Sequence, residues 1–472
     1  MGRGEPEILD PGSRWRALLE RVPSPEGGRV YVVGGWVRDR ILAGGARQRC
    51  QSRGESADRE IDLVCDRGFF PWAEAVARSL KGRLRVERDF LTARIESVEG
   101  EEGLRVDLAG FRREVYEKDG KLPVVAAGNF EEDAARRDFP MNALYLRWDP
   151  VRRSFDRLLD PFGGVSDLER RTVSLIRPNA FREDPTRIFR WARLSSRLGL
   201  SSSGPLLESL KGDLALLDLW QEVGPARVGA EFSRLLSEPD PLSALELLFS
   251  SGAMSSLTKR GLVTLSPGRK ARLERWRAVR GALRETARRE SSLADADREM
   301  FFLGLLYGLR KGRFEESTQA LGVGPRLAGR LSETLFRPGS WPGQGGYSGL
   351  RRRSEGDPGK MLALADRLET GKVLLSYLRC GEGEAALWAD YLVRGRFLPP
   401  LVGGESLLRY PGISPKERKS VLAEIRWRQR TGELSGSSEA LSWLDERFAG
   451  QGTGGSPRGD APLSGAMGEG SP

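Results

Sequence analysis

A chain of 472 residues is too long for one ordinary hydrophobic core, so roughly two to four domains are expected. Its 76 Lys and Arg against 66 Asp and Glu leave a net charge of +10, which suits a polyanionic partner and a solvated basic surface about equally. Histidine is absent, which excludes a His general base, a Ser-His-Asp triad, imidazole-ligated zinc and a histidine-aspartate phosphohydrolase.

Catalysis must then rest on carboxylates, Arg, Lys and metal bound through oxygen. Cys50, Cys65 and Cys380 are scattered, with no spacing for a metal or a disulfide framework, so a reducing cytoplasm is expected. No run approaches the roughly 18 apolar residues of a membrane span, and the N-terminus shows no apolar signal core.

Taken in order, Arg14–Val22 predicts a short amphipathic helix, stopped by Pro23-Ser-Pro-Glu-Gly-Gly28. From about 29 to 148 the apolar runs are short and β-branched: Val30–Val33, Ile61–Val64, Leu104–Leu108 and Ala143–Leu146. They alternate with helical stretches such as Pro71–Leu80 and predict a mixed α/β domain, with Gly44–Arg59 as an exposed loop. After about 160 the period is helical: Ala180–Leu198, Arg227–Leu236, Pro241–Phe249, Arg269–Glu290, Arg298–Leu309 and Ser414–Thr431. Gly and Pro clusters at 251–268 and 337–358 punctuate the helices, and 450–472 reads as a disordered tail.

Three groups of residues carry chemistry. Gly34-Gly35 follows a strand, so backbone N–H groups can approach a triphosphate without Cβ interference, with Arg38 close by; a simple turn has the same look. Glu60 and Asp62 alternate on a strand and share one face, where both can reach the same Mg²⁺, and Asp107 on a neighbouring strand can be a third ligand. An isolated acidic pair would more often be solvated. Asp184, Arg187, Arg190 and Arg193 recur every three residues behind Pro185, placing them along one helix face while Ile188, Leu194 and Leu198 face a core. Such a row suits a triphosphate or an RNA backbone, and an Asp–Arg pair can read a base edge; a basic stripe held by ion pairs is the plainer reading.

In combination these elements resemble the class II tRNA nucleotidyltransferase family, which includes CCA-adding enzymes and bacterial poly(A) polymerases. The matching stretches are Val33-Gly-Gly-Trp-Val-Arg-Asp39, Glu60-Ile-Asp-Leu63, Val106-Asp-Leu-Ala-Gly-Phe-Arg112 and Arg136-Arg-Asp-Phe-Pro-Met-Asn-Ala143. Leu159-Asp-Pro-Phe-Gly-Gly164, Asp167-Leu168 and Phe181–Arg193 continue them, with weaker similarity at Pro225–Phe232 and Leu401–Leu408.

The resemblance implies an α+β chain: a mixed α/β nucleotidyltransferase head (29–160) behind a lead-in (1–28). An all-helical neck (161–250), body (251–345) and tRNA-binding tail (346–449) then follow, before the segment 450–472. It assigns metal-binding carboxylates to Glu60 and Asp62 and a third catalytic acid to Asp107. Gly34, Gly35, Arg38, Arg137 and Asp138 fall on nucleotide-binding positions. Asp184 and Arg187 fall on the pair that selects CTP or ATP by its base, and Arg190 and Arg193 on further nucleotide contacts. The implied activity is Mg²⁺-dependent addition or repair of the 3′-terminal CCA of tRNA, held by its acceptor stem and elbow.

Three departures stand out. Glu60 occupies a position where the family usually has Asp, the loop between Asp39 and Glu60 is longer, and Pro140 replaces a common Thr at what reads as a strand entrance. CC-only or A-only addition remains an alternative, although Glu114–Phe130 is nearly as long as in complete CCA-adders. Poly(A) polymerase and a non-catalytic tRNA-binding homologue are further alternatives.

Overall fold

A computed structural model of the protein describes residues 11–45, 59–216, 223–289, 296–336, 361, 365, 370–380, 382–392, 400–431 and 433–448. The 450–472 tail, the Gly/Pro cluster at 337–358, Cys50 and nearly all of the Gly44–Arg59 loop lie outside these residues. The chain divides into two units, Met1–Arg277 with Leu305–Gly329, and Ala278–Gly304 with Arg330–Pro472.

The first unit opens with α1 (Ser13–Glu20), β1 (Val30–Val33), α2 (Gly35–Gly45) and β2 (Glu60–Cys65). There follow α3 (Phe69–Leu80), β3 (Arg83–Glu87), β4 (Thr92–Glu96), β5 (Arg105–Gly110), β6 (Arg112–Val115) and β7 (Val124–Ala127). α4 (Phe130–Ala135), β8 (Tyr145–Asp149), β9 (Ser154–Leu159) and α5 (Gly164–Glu169) complete the head. Seven strands form a mixed sheet in the order β3-β4-β5-β2-β1-β8-β9, while β6 and β7 make a separate ribbon. Within the large sheet only β2 and β5 run parallel, and the crossover between them contains α3 and the β3–β4 hairpin.

Alternation fixes which side of the sheet is dry. Ile61, Leu63, Val106 and Leu108 are buried, and α3 buries Phe69, Ala73, Val76, Ala77 and Leu80 along one stripe. On the other face Tyr31, Val33, Val64, Phe111, Ala134 and Tyr145 form a second cluster, with Tyr31 stacked on Phe111 at 5.4 Å.

Two expectations are corrected. The single helix over Ala180–Leu198 is two, α6 (Ala180–Glu183) and α7 (Thr186–Leu198), because Asp184 is extended at φ −133°, ψ 92°. A residue preceding proline is pushed out of the helical region, and Pro185 has no N–H to continue α6. Pro140 does not enter a strand: it starts a 3₁₀ turn, Pro140–Asn142, and β8 begins only at Tyr145.

Ahead of α6 lies β10 (Thr172–Val173), which pairs in parallel with β11 (Ser201–Ser202) beyond α7, and α8 (Gly204–Leu216) follows. The helices Pro225–Ser237 and Pro241–Ser250 pack on α7, with Phe189 edge-on to Phe232 at 5.6 Å. Each starts with Pro at its first turn, and Asp240 caps the second through Ser243. In the second unit Val402, Leu407, Tyr410, Ile413, Val421, Ile425 and Leu444 form a small core among the helices Arg418–Thr431 and Ser437–Phe448. Trp443 there lies 5.2 Å from each of the guanidinium groups of Arg428 and Arg447. No described helix is long and apolar enough to cross a membrane.

The Asp160-Pro-Phe-Gly-Gly164 stretch is a brace. The Asp160 carboxylate accepts the N–H groups of Gly164 (2.6 Å) and Val165 (3.0 Å) at the start of α5, and Gly163 supplies a left-handed φ of +74°. A Cβ on Gly164 would stand 2.3 Å from the Pro140 carbonyl oxygen, so α5 presses directly on the 3₁₀ turn. Gly164→Ala is expected to lower the unfolding free energy by about 1–3 kcal/mol, read by urea denaturation. An unchanged midpoint would show that the turn yields freely.

Candidate active site

The site grows from the end of β1. Val33 pairs with Asp62 of β2 on one side and Tyr145 of β8 on the other. Gly34 then turns the chain at φ +72°, and α2 starts at Gly35. A Cβ on Gly34 would lie 3.3 Å from an Asp62 carboxylate oxygen, so the turn demands glycine by conformation and by space. Arg38, on the first turn of α2, is buried; its Nε donates to Asp39 (2.7 Å) and its Nη1 to Asn142 Oδ1 (2.6 Å).

Parallel pairing sets Asp62 of β2 opposite Asp107 of β5, with Glu60 two residues earlier on the same face. One oxygen from each of Glu60, Asp62 and Asp107 lies within 4.8 Å of the others, and all three residues are half-buried. Burial, then repulsion from Asp107 and Glu60, pushes the Asp62 carboxyl up to about 7, against the pull of Arg137 and Arg38. The Glu60 carboxyl is also raised, by burial and then by its hydrogen bond and proximity to Asp107. Arg94 grips Asp107 through both oxygens, at 2.6 and 2.9 Å. An all-oxygen set too close to ionise fully fits a hard divalent cation such as Mg²⁺. Glu60 reaches this group despite its extra methylene.

Apart from these three carboxylates stands a fourth acid, which is not part of their cluster. A capping box between Asn129 and Glu132 opens α4 and sets Asp133 fully inside. Asp133 accepts from Arg136 (2.7 Å), Arg137 (3.2 Å) and the Tyr145 hydroxyl (2.6 Å). Burial alone would raise its pKa, but Arg137, Arg136 and the hydroxyl hold it down to about 2. Arg137 is fixed further by Tyr145 Oη (2.8 Å) and the Asn142 carbonyl (3.2 Å). Arg85, Arg94, Arg112, Arg136 and Arg137 then edge a cavity of about 550 Å³ that contains Asp62 and Asp107. Cations around a small acidic centre suit phosphate groups, whether of a nucleotide or of a nucleic-acid backbone.

The neck contributes Asp184. Its Oδ1 accepts from Thr186 Oγ1 and Arg227 Nη2, both at 2.7 Å, and its Oδ2 from Arg190 Nη2 at 3.0 Å. Arg190 also lies 3.5 Å from Asp138, whose other oxygen accepts from Asn142 (3.0 Å). Arg187 is 2% exposed and donates to the Arg136 carbonyl at 2.8 Å. Arg193 sits apart, 3.5 Å from Glu238. The evenly spaced row is therefore split: Asp184 precedes the helix, Arg187 points inward, Arg190 joins Asp184 to Asp138, and only Arg193 stands aside. Ile188 and Leu194 are buried as the spacing predicts, while Leu198 is half-buried.

Sequence reasoning passed over Asp133, Asn142, Tyr145, Arg94, Arg112 and Arg227. Asp133 had a visible signal, since it precedes Arg136 and Arg137 by three and four residues in a helical stretch. Arg94 had none, because its meeting with Asp107 depends on strand register.

Residues 30–174 match the family described as the poly A polymerase head domain. An A-adding tRNA nucleotidyltransferase of Halalkalibacterium halodurans is 31% identical over 222 residues, covering 46% of this chain and 48% of that protein. A CC-adding tRNA nucleotidyltransferase of Deinococcus radiodurans is 38% identical over 247 residues, covering 52% and 60%. The chain thus spans about half the length of the curated relatives it matches. Among solved structures, a CCA-adding enzyme in an apo form superposes with a TM-score of 0.63 at 21% identity, over 92% of this chain and 95% of that one. A Thermotoga maritima CCA-adding enzyme complexed with tRNA gives 0.60 at 21%, over 92% and 94%. At this identity the superpositions speak for the fold alone, and the matched residues 30–174 make the head similar to a poly A polymerase head domain.

Proposed function

We propose that this protein is a Mg²⁺-dependent nucleotidyltransferase that builds or repairs the 3′-terminal CCA of tRNA from CTP and ATP. The observation that carries the reading is the cluster of Glu60, Asp62 and Asp107, gathered beside the glycine turn at Gly34. Glu60 and Asp62, with Asp107 as a third ligand, would hold the cation. When bound, it supplies polarisation of the α-phosphate and charge neutralisation for the leaving pyrophosphate. The backbone N–H groups after Gly34, at the start of α2, together with Arg38 and Arg137, orient the triphosphate. Asp133 keeps Arg136 and Arg137 from collapsing onto the carboxylates.

In this reading Asp184 and Arg187 read the base edge, Arg187 by leaving the Arg136 carbonyl it is buried against. The Asp184 oxygens already accept from Thr186, Arg190 and Arg227, so a base binds in exchange for one of the two partly exposed arginines. In this reading 29–160 is the catalytic head, 161–250 the nucleotide-selecting neck, and 251–345 and 346–449 the body and tail. The helical part holds tRNA by shape and phosphates rather than by sequence.

Addition of the final A alone, or of CC alone, is the second reading, because the relatives include proteins named for each. The ribbon of β6 and β7 favours a complete enzyme: the N–H of Gly120, in its connecting loop, donates to the Arg182 carbonyl (3.1 Å), and Arg227 bridges Gly120 to Asp184.

Extension of transcripts ending before CCA, after C and after CC should give complete CCA when CTP and ATP are supplied together. Incorporation of one nucleotide type only would establish a divided system, and tRNA binding without any incorporation would overturn the enzyme reading. Asp62→Ala should reduce transfer by roughly a thousandfold with tRNA binding kept. Asp184→Ala should erode discrimination between CTP and ATP by about 5- to 150-fold in kcat/KM. Selectivity unchanged in that variant would remove Asp184 from base recognition.

A further inference from the structure

The rung of paired residues that carries the carboxylates continues past them. Register leads from Val33 through Asp62 and Asp107 to Arg94 on β4 and Arg85 on β3. Paired residues on neighbouring strands share a face, and all five line the same cavity. At about 5 Å per strand, Arg94 stands one step and Arg85 two steps beyond Asp107. Gly34, Arg38 and Arg137 lie on the opposite side of the carboxylates, around β1 and β8.

Arg94 spends two N–H groups on Asp107, yet its side chain is 43% exposed and a guanidinium has further donors to offer. Arg85 is 76% exposed and pairs with the half-exposed Glu87 at 3.5 Å, an interaction of small energetic weight in water. In-line phosphoryl transfer brings the attacking hydroxyl from the side opposite the leaving pyrophosphate. With the triphosphate on the Gly34 side, the growing RNA end must reach the carboxylates across β4 and β3.

We propose that Arg94 and Arg85 seat the backbone phosphates at the 3′ end of the RNA, Arg94 holding the last phosphate while it positions Asp107. This rests on the transferase reading above. Arg94 is thus a positioning residue for the third carboxylate and a contact for the RNA, and Arg85 continues the track one nucleotide further back.

The test is a cycle between protein and RNA, measured by fluorescence anisotropy in EDTA with the full chain. A tRNA minihelix ending in CC is compared with the same RNA carrying an uncharged methylphosphonate at its last internucleotide linkage. The modification should weaken binding to the parent protein roughly five- to tenfold, Arg94→Gln should do likewise, and the two together should cost little more than either. Arg85→Gln, at an exposed site where folding is not at stake, should show the same non-additivity with the penultimate linkage and leave CTP affinity unchanged. Additive effects at both positions, or a loss of CTP affinity in place of RNA affinity, would overturn the proposal. If the parent extends tRNA while the effects add, only this track fails; a parent that neither binds nor extends RNA sinks the transferase reading itself.

Discussion

Three carboxylates within 4.8 Å of one another repel, by on the order of a few kcal/mol for each ionised pair in a partly buried setting, and the head is built to hold them there. Asp62 and Asp107 are on adjacent parallel strands whose opposite faces are dry, so neither can turn away without exposing Ile61, Leu63, Val106 or Leu108. Arg94 clamps Asp107 from the next strand, and the Gly34 turn closes over Asp62 so tightly that a Cβ there would sit 3.3 Å from its carboxylate. A proton relieves the repulsion, and a divalent cation bound between the three would do the same. Everything else around the site either fixes this cluster or keeps positive charge near it without neutralising it. Asp133 does the latter, tying Arg136 and Arg137 behind the site so that their charge faces the cavity while their geometry is set elsewhere.

The glycine turn and Asp184 are joined by one polar chain. It runs Asp39, Arg38, Asn142, Asp138, Arg190, Asp184 and Arg227, with every link between 2.6 and 3.5 Å. Several members are buried, so deleting one leaves a charge without its partner, which is among the costlier defects in a protein interior. The brace of Gly164 on the 3₁₀ turn steadies the middle of this chain, since Asn142 ends that turn. A stretch that reads as a simple Asp-Pro-Phe-Gly-Gly turn therefore steadies Arg38, beside the glycine turn, through Asn142.

Much of this was legible in the residues and some of it was not. Val30–Val33 matched its strand residue for residue, and Glu60 with Asp62 shared a face as alternation requires. That Asp107 would join them was foreseeable only as a neighbouring strand; its register opposite Asp62 is a tertiary fact. The same holds for Arg94 and Arg85, whose short, charged, half-exposed strands carry little hydrophobic alternation to announce them. At Ala180–Leu198 the apolar period ran through Asp184-Pro185 and hid a break that the proline rule could have found. The three-residue spacing of Asp184, Arg187, Arg190 and Arg193 suggested one presented face, whereas Asp138 and Asp184 draw Arg190, Glu238 draws Arg193, and main-chain carbonyls hold Arg187.

The absence of histidine makes the central claim unusually open to measurement, because few side chains other than Asp62 titrate near neutrality. Its pKa is raised from 3.8 to about 7 in the folded, metal-free protein, so the stability tied to its proton is fully present below about pH 4 and is lost as pH rises through about 7. The measurement is the melting temperature in EDTA and in Mg²⁺ between pH 6 and pH 8, for the parent and for Asp62→Asn. The account predicts a fall with pH in EDTA that Mg²⁺ reverses, and an Asp62→Asn protein that is more stable at pH 8 yet indifferent to Mg²⁺. A parent whose melting temperature is flat across this range and unmoved by Mg²⁺ would contradict the claim that Glu60, Asp62 and Asp107 form one strained, cation-demanding centre.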